Sequence, residues 1–125
     1  MSRLYLEEDL VLDIHAAQIT RYGGSSGLRD PGQLNAALHR PSSGYYADLV
    51  EEAAALWESL SQNHPFIDGN KRTALASTLI FLGLNDYVLT ADSDALKAFV
   101  SDLYDSGEFR FARLEPWLRE HAKPR

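Results

Sequence analysis

Apolar residues recur along most of this chain at the three- and four-residue spacing of an α-helix. Near the start, Leu10, Val11 and Ile14 fall on one helical face. A later stretch, residues 70–84, is apolar around most of its circumference, which is typical of a central, buried helix. The whole pattern predicts helices over residues 7–22, 31–39, 48–63 and 70–84, one that begins at Ser93, and one around residues 111–118.

The predicted helices are bounded by residues that favour turns and caps. Three glycines within residues 23–27 should end the first helix, because glycine carries too much conformational freedom for a helix interior. Asp30 is suited to cap the next helix, and Pro31 tolerates its first position since the missing N–H is not needed there. Ser93 is expected to cap a later helix in the same way. The pattern predicts an all-α bundle of about six helices, with at most a short extended pair, in a single compact domain over residues 1–125.

Composition and charge narrow the classes of function. The chain of 125 residues has no cysteine, which excludes a disulfide framework, a cysteine nucleophile and a zinc–thiolate site. Its net charge of −6 argues against a nucleic-acid-binding protein, which would need many Lys and Arg contacts to phosphates. No apolar stretch approaches the ~18 residues of a membrane span, and acidic residues stand where a signal peptide needs an apolar run. We therefore expect a cytoplasmic protein with no membrane or nucleic-acid partner.

The richest cluster of reactive side chains is His-Pro-Phe-Ile-Asp-Gly-Asn-Lys-Arg at positions 64–72. His64 precedes a proline, which disfavours helical geometry, so it should lie where a helix meets a loop. Histidine accepts a proton near neutral pH and can therefore act as a general base. Asp68 offers the hard oxygen ligand that magnesium prefers, while substrate phosphates and water fill the other positions.

The end of this stretch has the features of an anion site. Gly69 allows the backbone to approach a ligand closely, and Asn70, Lys71 and Arg72 open the next predicted helix. The free N–H groups and positive dipole end of a helix start attract phosphate, and the two cations add a point charge and a planar fork. These are the parts of a phosphoryl or nucleotidyl transfer site. A polar loop with a helix cap and two solvated cations is the alternative interpretation.

The stretch resembles the signature of the Fic/Doc family, H-P-F-x-[D/E]-G-N-x-R, and is most similar to the Doc (death-on-curing) branch. Lys-Arg-Thr-Ala-Leu at positions 71–75 resembles the start of the central helix of Doc proteins. Arg-Tyr-Gly-Gly at positions 21–24 resembles the segment after their first helix. The resemblance extends from the first helix to about Leu84. It implies a Fic/Doc-like bundle and a toxin that modifies a protein, with ATP as co-substrate and Mg²⁺ as cofactor.

The family implies a role for each matching residue. His64 would deprotonate the target hydroxyl, Asp68 would hold magnesium, and Phe66 would anchor the loop in the core. The nucleotide phosphates would be bound by Gly69, Asn70, Lys71 and Arg72.

Three residues help to predict whether the resemblance implies transfer of AMP or of a phosphate. AMP-transferring members have glycine where this chain has Lys71, and a second arginine where it has Leu75. Lysine is typical of the Doc branch, for which the resemblance implies a reversed ATP, transfer of the γ-phosphate to a threonine of elongation factor Tu, and arrest of translation. Gly69 favours AMP transfer, since the best-known Doc toxin has alanine there. A Ser/Thr protein kinase is the first hypothesis, an AMP or UMP transferase the alternative, and a non-catalytic binding module of the same fold a second alternative.

The sequence also bears on how the activity is controlled. Self-inhibited Fic proteins carry [S/T]-x-x-x-E-[G/N], and no glutamate here precedes glycine or asparagine. The family therefore implies a separate Phd-type antitoxin that lays an amphipathic helix into a groove.

The other histidines, His15, His39 and His121, are interpreted as ordinary residues, the last in a frayed tail. Residues 23–32 are interpreted as a loop with a helix cap, or alternatively as a flap that positions the target segment.

Overall fold

The fold is a bundle of α-helices with a small antiparallel ribbon. The computed structural model describes residues 2–125, and this part of the chain contains six α-helices, a short 3-10 turn at Arg40–Ser42 and two three-residue strands. The elements, in chain order, are α1 (Glu8–Tyr22), α2 (Pro31–His39), α3 (Leu49–Gln62), α4 (Asn70–Leu84), β1 (Tyr87–Leu89), α5 (Ser93–Ser106), α6 (Phe111–His121) and β2 (Ala122–Pro124). The predicted all-α bundle with at most a short extended pair is confirmed.

Helix boundaries follow the capping chemistry of the sequence. The Asp30 carboxylate accepts the backbone N–H of Gln33 (3.2 Å), and Pro31 occupies the first position of α2. Asp48 caps α3 in the same way, by accepting the N–H of Glu51 at 3.1 Å. These caps satisfy N–H groups that have no partner within the helix.

The cap of α5 is Asp92 rather than the predicted Ser93. The Asp92 carboxylate accepts the N–H of Ala95 (2.8 Å), and Ser93 is the first residue inside the helix. Aspartate and serine are equally good cap residues. Residue type therefore does not decide which of these two neighbours caps the helix, but backbone geometry does. Asp92 has the extended conformation (φ −75°, ψ 170°) that a cap needs.

The most buried helix is α3, and the prediction that residues 70–84 form the central buried helix was wrong. Eleven of the 14 residues of α3 are buried, against six of the 15 of α4. Leu79, Ile80 and Leu84 are 37%, 37% and 42% exposed on the outer side of α4. The inward side of α4 carries small residues such as Ala74 and Ser77 together with the large residues Phe81 and Leu82. Apolar residues all around a helix therefore did not mean burial all around it.

Both ends of the described chain are tied to the C-terminal end of α4. The Asn85 side chain exchanges two 2.9 Å hydrogen bonds with the backbone of Leu4. At the other end, β2 pairs antiparallel with β1, and the backbone N–H of Arg125 donates to the carbonyl of Asp86 at 2.7 Å. The expected frayed tail at His121 was wrong, because its ring stacks on Trp117 and its Nδ1 donates to the Trp117 carbonyl at 2.9 Å.

The loop that carries the candidate site residues connects two helices that pack on each other. α3 and α4 are joined by residues 63–69, which lie at the end of the bundle opposite the paired chain ends. Within residues 2–125, no helix is both long and apolar enough to cross a membrane.

Candidate active site

The loop between α3 and α4 borders a pocket of about 420 Å³. Most of the candidate residues from the sequence line it, and they come from the loop and the first turn of α4. The lining residues are His64, Ile67, Asp68, Gly69, Asn70, Lys71 and Arg72. Phe66 lies beneath the loop and is 2% exposed. The structure therefore brings together every site residue that the sequence singled out.

A second segment, residues 23–30, lies along this loop, and we call it the strap. Leu28 and Phe66 form an isolated antiparallel bridge, and the N–H of Ile67 donates to the carbonyl of Gly27 at 3.1 Å. The strap also approaches the pocket closely at Gly24, where an added Cβ would lie 2.6 Å from Oδ2 of Asp68. Asp30 at the end of the strap caps α2, as predicted, but the segment as a whole braces the functional loop.

His64 has a strained backbone that Arg29 of the strap stabilises. Its φ of 49° is in the left-handed region, which a residue other than glycine adopts at a cost. The Arg29 guanidinium donates from Nε to the His64 carbonyl at 2.7 Å and from Nη2 to the Asn63 carbonyl at 3.2 Å. The backbone N–H groups of Arg29 and Asp30 both donate to the carbonyl of Pro65, at 2.8 and 2.9 Å. These four bonds hold the corner of the loop and leave the His64 ring exposed at the pocket.

Phe66 and His15 together support the floor of the loop. Their rings stack in parallel, with centroids 3.8 Å apart and an angle of 5° between planes. His15 lies on the buried side of α1, and its Nε2 donates to the backbone carbonyl of Asp68 at 2.8 Å. The interpretation of His15 as an ordinary residue missed its contact with the loop. Its only sequence signal is its position beside the apolar residues Val11 and Ile14 on the inward side of α1.

The Asp68 carboxylate is exposed and held by two backbone N–H groups. Its Oδ2 accepts from Ser25 of the strap at 3.0 Å, and its Oδ1 accepts from Gly69 at 2.8 Å. These hydrogen bonds, first that from Ser25 and then that from Gly69, lower the pKa of Asp68 below its usual 3.8. The guanidinium of Arg72 contributes to the same shift. Asp68 is therefore a fixed, ionised oxygen donor at the edge of the pocket.

This donor set fits a magnesium ion that arrives with a phosphate substrate. Magnesium in nucleotide sites is held by one or two carboxylates, and substrate phosphates and waters complete the octahedron. Asp68 supplies one such carboxylate beside two cations, Lys71 and Arg72, that can contact the same phosphates. Among residues 2–125, no three His, Asp or Glu side chains gather as a metal cluster.

The side chain of Asn70 spans the loop. Its Oδ1 accepts the backbone N–H of Phe66, and its Nδ2 donates to the backbone carbonyl of Phe66, both at 2.9 Å. The amide group therefore fixes the path of the loop across four residues. Any contact of Asn70 with phosphate has to come from its backbone N–H or from a rearranged side chain.

Gly69 is the cap residue before α4 and has a conformation that suits glycine. Its φ of 77° and ψ of 16° are left-handed, and an added Cβ would lie 3.0 Å from Cδ1 of Ile19. Because glycine has no side chain, it cannot cap the first-turn N–H groups of α4. Asn70, Lys71 and Arg72 of this first turn line the pocket, where an anion could accept from such N–H groups.

The two cations of the pocket are each placed by a contact from another element. Arg72 donates from Nη2 to the carbonyl of Gly23 at 2.9 Å, and its guanidinium lies 5.5 Å from the centre of the Tyr22 ring. Lys71 places its Nζ 4.3 Å from the centre of the Tyr104 ring, on α5. The positive charges therefore have defined positions before any ligand binds.

Comparisons with known proteins match most of the chain. A family model described as Fic/DOC family matches residues 5–82, a range that contains the strap and the whole loop. Toxin Doc of Mycolicibacterium smegmatis is 40% identical over 99 residues, which cover 75% of this chain and 74% of that protein. Protein kinase doc of Escherichia phage P1 is 36% identical over 85 residues, which cover 65% of this chain and 68% of that protein.

Proposed function

Because this chain belongs to the Fic/DOC family, we propose that it is a Doc-type toxin of a toxin–antitoxin system that acts as a protein kinase. It transfers the γ-phosphate of ATP to a threonine or serine hydroxyl of elongation factor Tu and thereby arrests translation. The relatives support this proposal, since one is named Toxin Doc and the other Protein kinase doc.

The observation that carries the choice of kinase is the lysine in the first turn of α4. Lys71 is one of the residues that line the pocket, and AMP-transferring members of the family have glycine at its position. Four residues later Leu75 replaces the second arginine of those members. A pocket with this lysine and without that arginine binds a triphosphate with its terminal phosphate nearest to Lys71.

The His64 ring is the general base in the proposed reaction. It accepts the proton of the target hydroxyl while that oxygen attacks the γ-phosphorus of ATP. The bond from the γ-phosphorus to the oxygen that bridges it to the β-phosphorus breaks, and ADP leaves with that oxygen. Arg29 maintains the loop corner from which the ring faces the pocket.

The other pocket residues orient the nucleotide and balance its charge. Asp68 would hold Mg²⁺, which when bound offsets the charge of the phosphate oxygens. Lys71 and Arg72 contact those oxygens, with Lys71 as a point charge and Arg72 as a fork. The backbone N–H of Asn70 adds a neutral donor at the helix start, while the N–H of Gly69 holds the Asp68 carboxylate beside the phosphates.

A nucleotidyl transferase that attaches AMP or UMP to a protein hydroxyl is the second candidate, and Gly69 favours it. The backbone at Gly69 lessens the weight of that residue, however. Its left-handed φ and the 3.0 Å approach of Ile19 to an added Cβ are a local reason for glycine. The backbone therefore favours glycine here whether the α- or the γ-phosphate is attacked.

The test uses purified protein, elongation factor Tu, Mg²⁺ and ATP labelled at either the α- or the γ-phosphate. Label from the γ-phosphate on elongation factor Tu is expected, and none from the α-phosphate. Label from the α-phosphate would overturn the kinase proposal in favour of nucleotidyl transfer. A non-catalytic module of the same fold would give no label, and its toxicity in bacteria would be the same in a His64→Ala variant.

We propose that the activity is controlled in trans, by a Phd-type antitoxin in the cytoplasm. The inhibitory [S/T]-x-x-x-E-[G/N] motif does not occur in residues 1–125. In this proposal, these residues act as one Fic/Doc-like domain. Co-expression with the product of the adjacent gene is expected to restore growth and give a complex that co-purifies. Growth arrest that persists with the neighbouring product would contradict this part of the proposal.

A further inference from the structure

Lys71, which carries the choice of kinase, is in contact with an aromatic ring from the C-terminal part of the chain. Its Nζ lies 4.3 Å from the centre of the Tyr104 ring. Tyr104 is on α5, outside the residues 5–82 that match the family model. Within the described residues Lys71 takes part in no salt bridge, so this ring is the contact that defines where its ammonium group lies.

The Tyr104 ring is itself held in place from two sides. Its second face stacks on Phe109, with centroids 4.3 Å apart and an angle of 7° between planes. Its hydroxyl shares a 2.6 Å hydrogen bond with Oγ of Ser61, a buried residue of α3. Burial raises the pKa of the Tyr104 phenol, so the phenol stays neutral at physiological pH. The ring is therefore a rigid platform for the ammonium group.

A lysine at this position needs such a platform. Its four-carbon side chain has many conformations, and the positive end of the α4 dipole and the Arg72 charge both repel its ammonium group. The negative face of an aromatic ring attracts a cation and favours one of these conformations. The side chain is exposed, so we expect the effect to be modest.

We propose that Tyr104 is a positioning residue that holds the Lys71 ammonium group at the pocket for the transferred phosphate. Through it, α5 contributes to the choice of phosphate, although the family signature lies wholly on the loop and α4. This inference rests on the proposed kinase function, and its test is built so that the two can fail separately.

The test compares Tyr104→Leu, which removes the ring, with Tyr104→Phe, which keeps both faces and loses only the hydroxyl. Transfer from γ-labelled ATP is measured for each in the parent protein and in a Lys71→Met background. Tyr104→Leu is expected to lower kcat/KM roughly 2- to 5-fold in the parent, and Tyr104→Phe to restore most of the loss. In the Lys71→Met background, Tyr104→Leu should cause no further loss, because the interaction it breaks is already absent.

A measurement independent of transfer checks the geometry. The ε-methylene protons of Lys71 should be shifted upfield in the NMR spectrum by the ring current, in the parent and in Tyr104→Phe but not in Tyr104→Leu. The proposal is overturned if this shift is absent in the parent, or if Tyr104→Leu costs the same in both backgrounds, as it would through structural damage alone.

Failure of the kinase proposal has a different signature. If the α label is transferred instead, the coupling between positions 71 and 104 is read on that label. If nothing is transferred, the coupling is read on the Kd for Mg-ATP. A coupling of zero in the assay that applies overturns the role of Tyr104 in either case.

Discussion

Replacement of Gly24 by alanine would press a methyl group against the carboxylate that we assign to magnesium. The added Cβ would lie 2.6 Å from Oδ2 of Asp68, and ordinary contact begins at 3.4 Å. Asp68 or the strap must therefore shift by about 0.8 Å, and either movement disturbs the 3.0 Å bond from the Ser25 N–H. A misplacement of about 1 Å at a reacting centre can reduce the rate ~100-fold. We expect kcat/KM for γ-phosphate transfer to fall by this order.

Gly44→Ala is the matched control. Gly44 also has a positive φ, 86° against 114° for Gly24, but it lies away from the pocket, and an added Cβ there meets nothing within 4 Å. Both substitutions strain the backbone, at a cost on the order of 1–3 kcal/mol of stability each. They should therefore lower the urea midpoint similarly, while Gly24→Ala alone loses most of its activity. Equal activity in the two folded variants would refute the steric argument, as would Mg²⁺ dependence unchanged in Gly24→Ala.

Three further variants test the other parts of the site. Arg29→Gln should lower kcat about tenfold or more, because charged hydrogen bonds of this kind contribute ~1.5–3 kcal/mol. The KM for ATP should stay unchanged, and a rise in KM alone would contradict the role of Arg29 in holding His64. Lys71→Gly should lower γ-phosphate transfer ~100-fold or more, as loss of one charge-stabilising donor does, and unchanged transfer would refute its role. Asp68→Asn should be less stable than the parent at neutral pH. Because the folded-state pKa of Asp68 lies below 3.8, this difference is present above that pH and should vanish as the pH falls through the folded-state pKa; urea midpoints that keep a constant gap down to the acid end would contradict it.

The helices could be predicted from the sequence because their determinants are local. Apolar spacing and the Asp30 cap lie within a few residues of the elements they define, and α2 and α4 have the predicted bounds. Burial is a different matter, since it depends on which helices pack on which side. The sequence could not distinguish the outward Leu79 and Ile80 of α4 from core residues, and so α3 was not recognised as the most buried helix.

That the candidate residues lie together at one pocket could also be predicted, because they are consecutive. Their supports could not, since each comes from a distant part of the chain. His15 contacts the loop across 53 residues of sequence, Ser25 across 43 and Arg29 across 35. No periodicity or spacing rule relates such positions, and only the packing of α1 and the strap against the loop brings them together.

Both ends of the described chain are held at the C-terminal end of α4. The same fold could therefore be formed by a chain whose helices are connected in a different order. Leu4 is bonded to Asn85 and Arg125 to Asp86, so the two ends of the described chain lie close together. Domains with neighbouring termini tolerate circular permutation when the new ends lie in an exposed loop. Gly44, exposed and with open space around it, offers such an opening. A chain reopened there would still run continuously from α3 through the loop of residues 63–69 into α4, and would receive the strap from its other half.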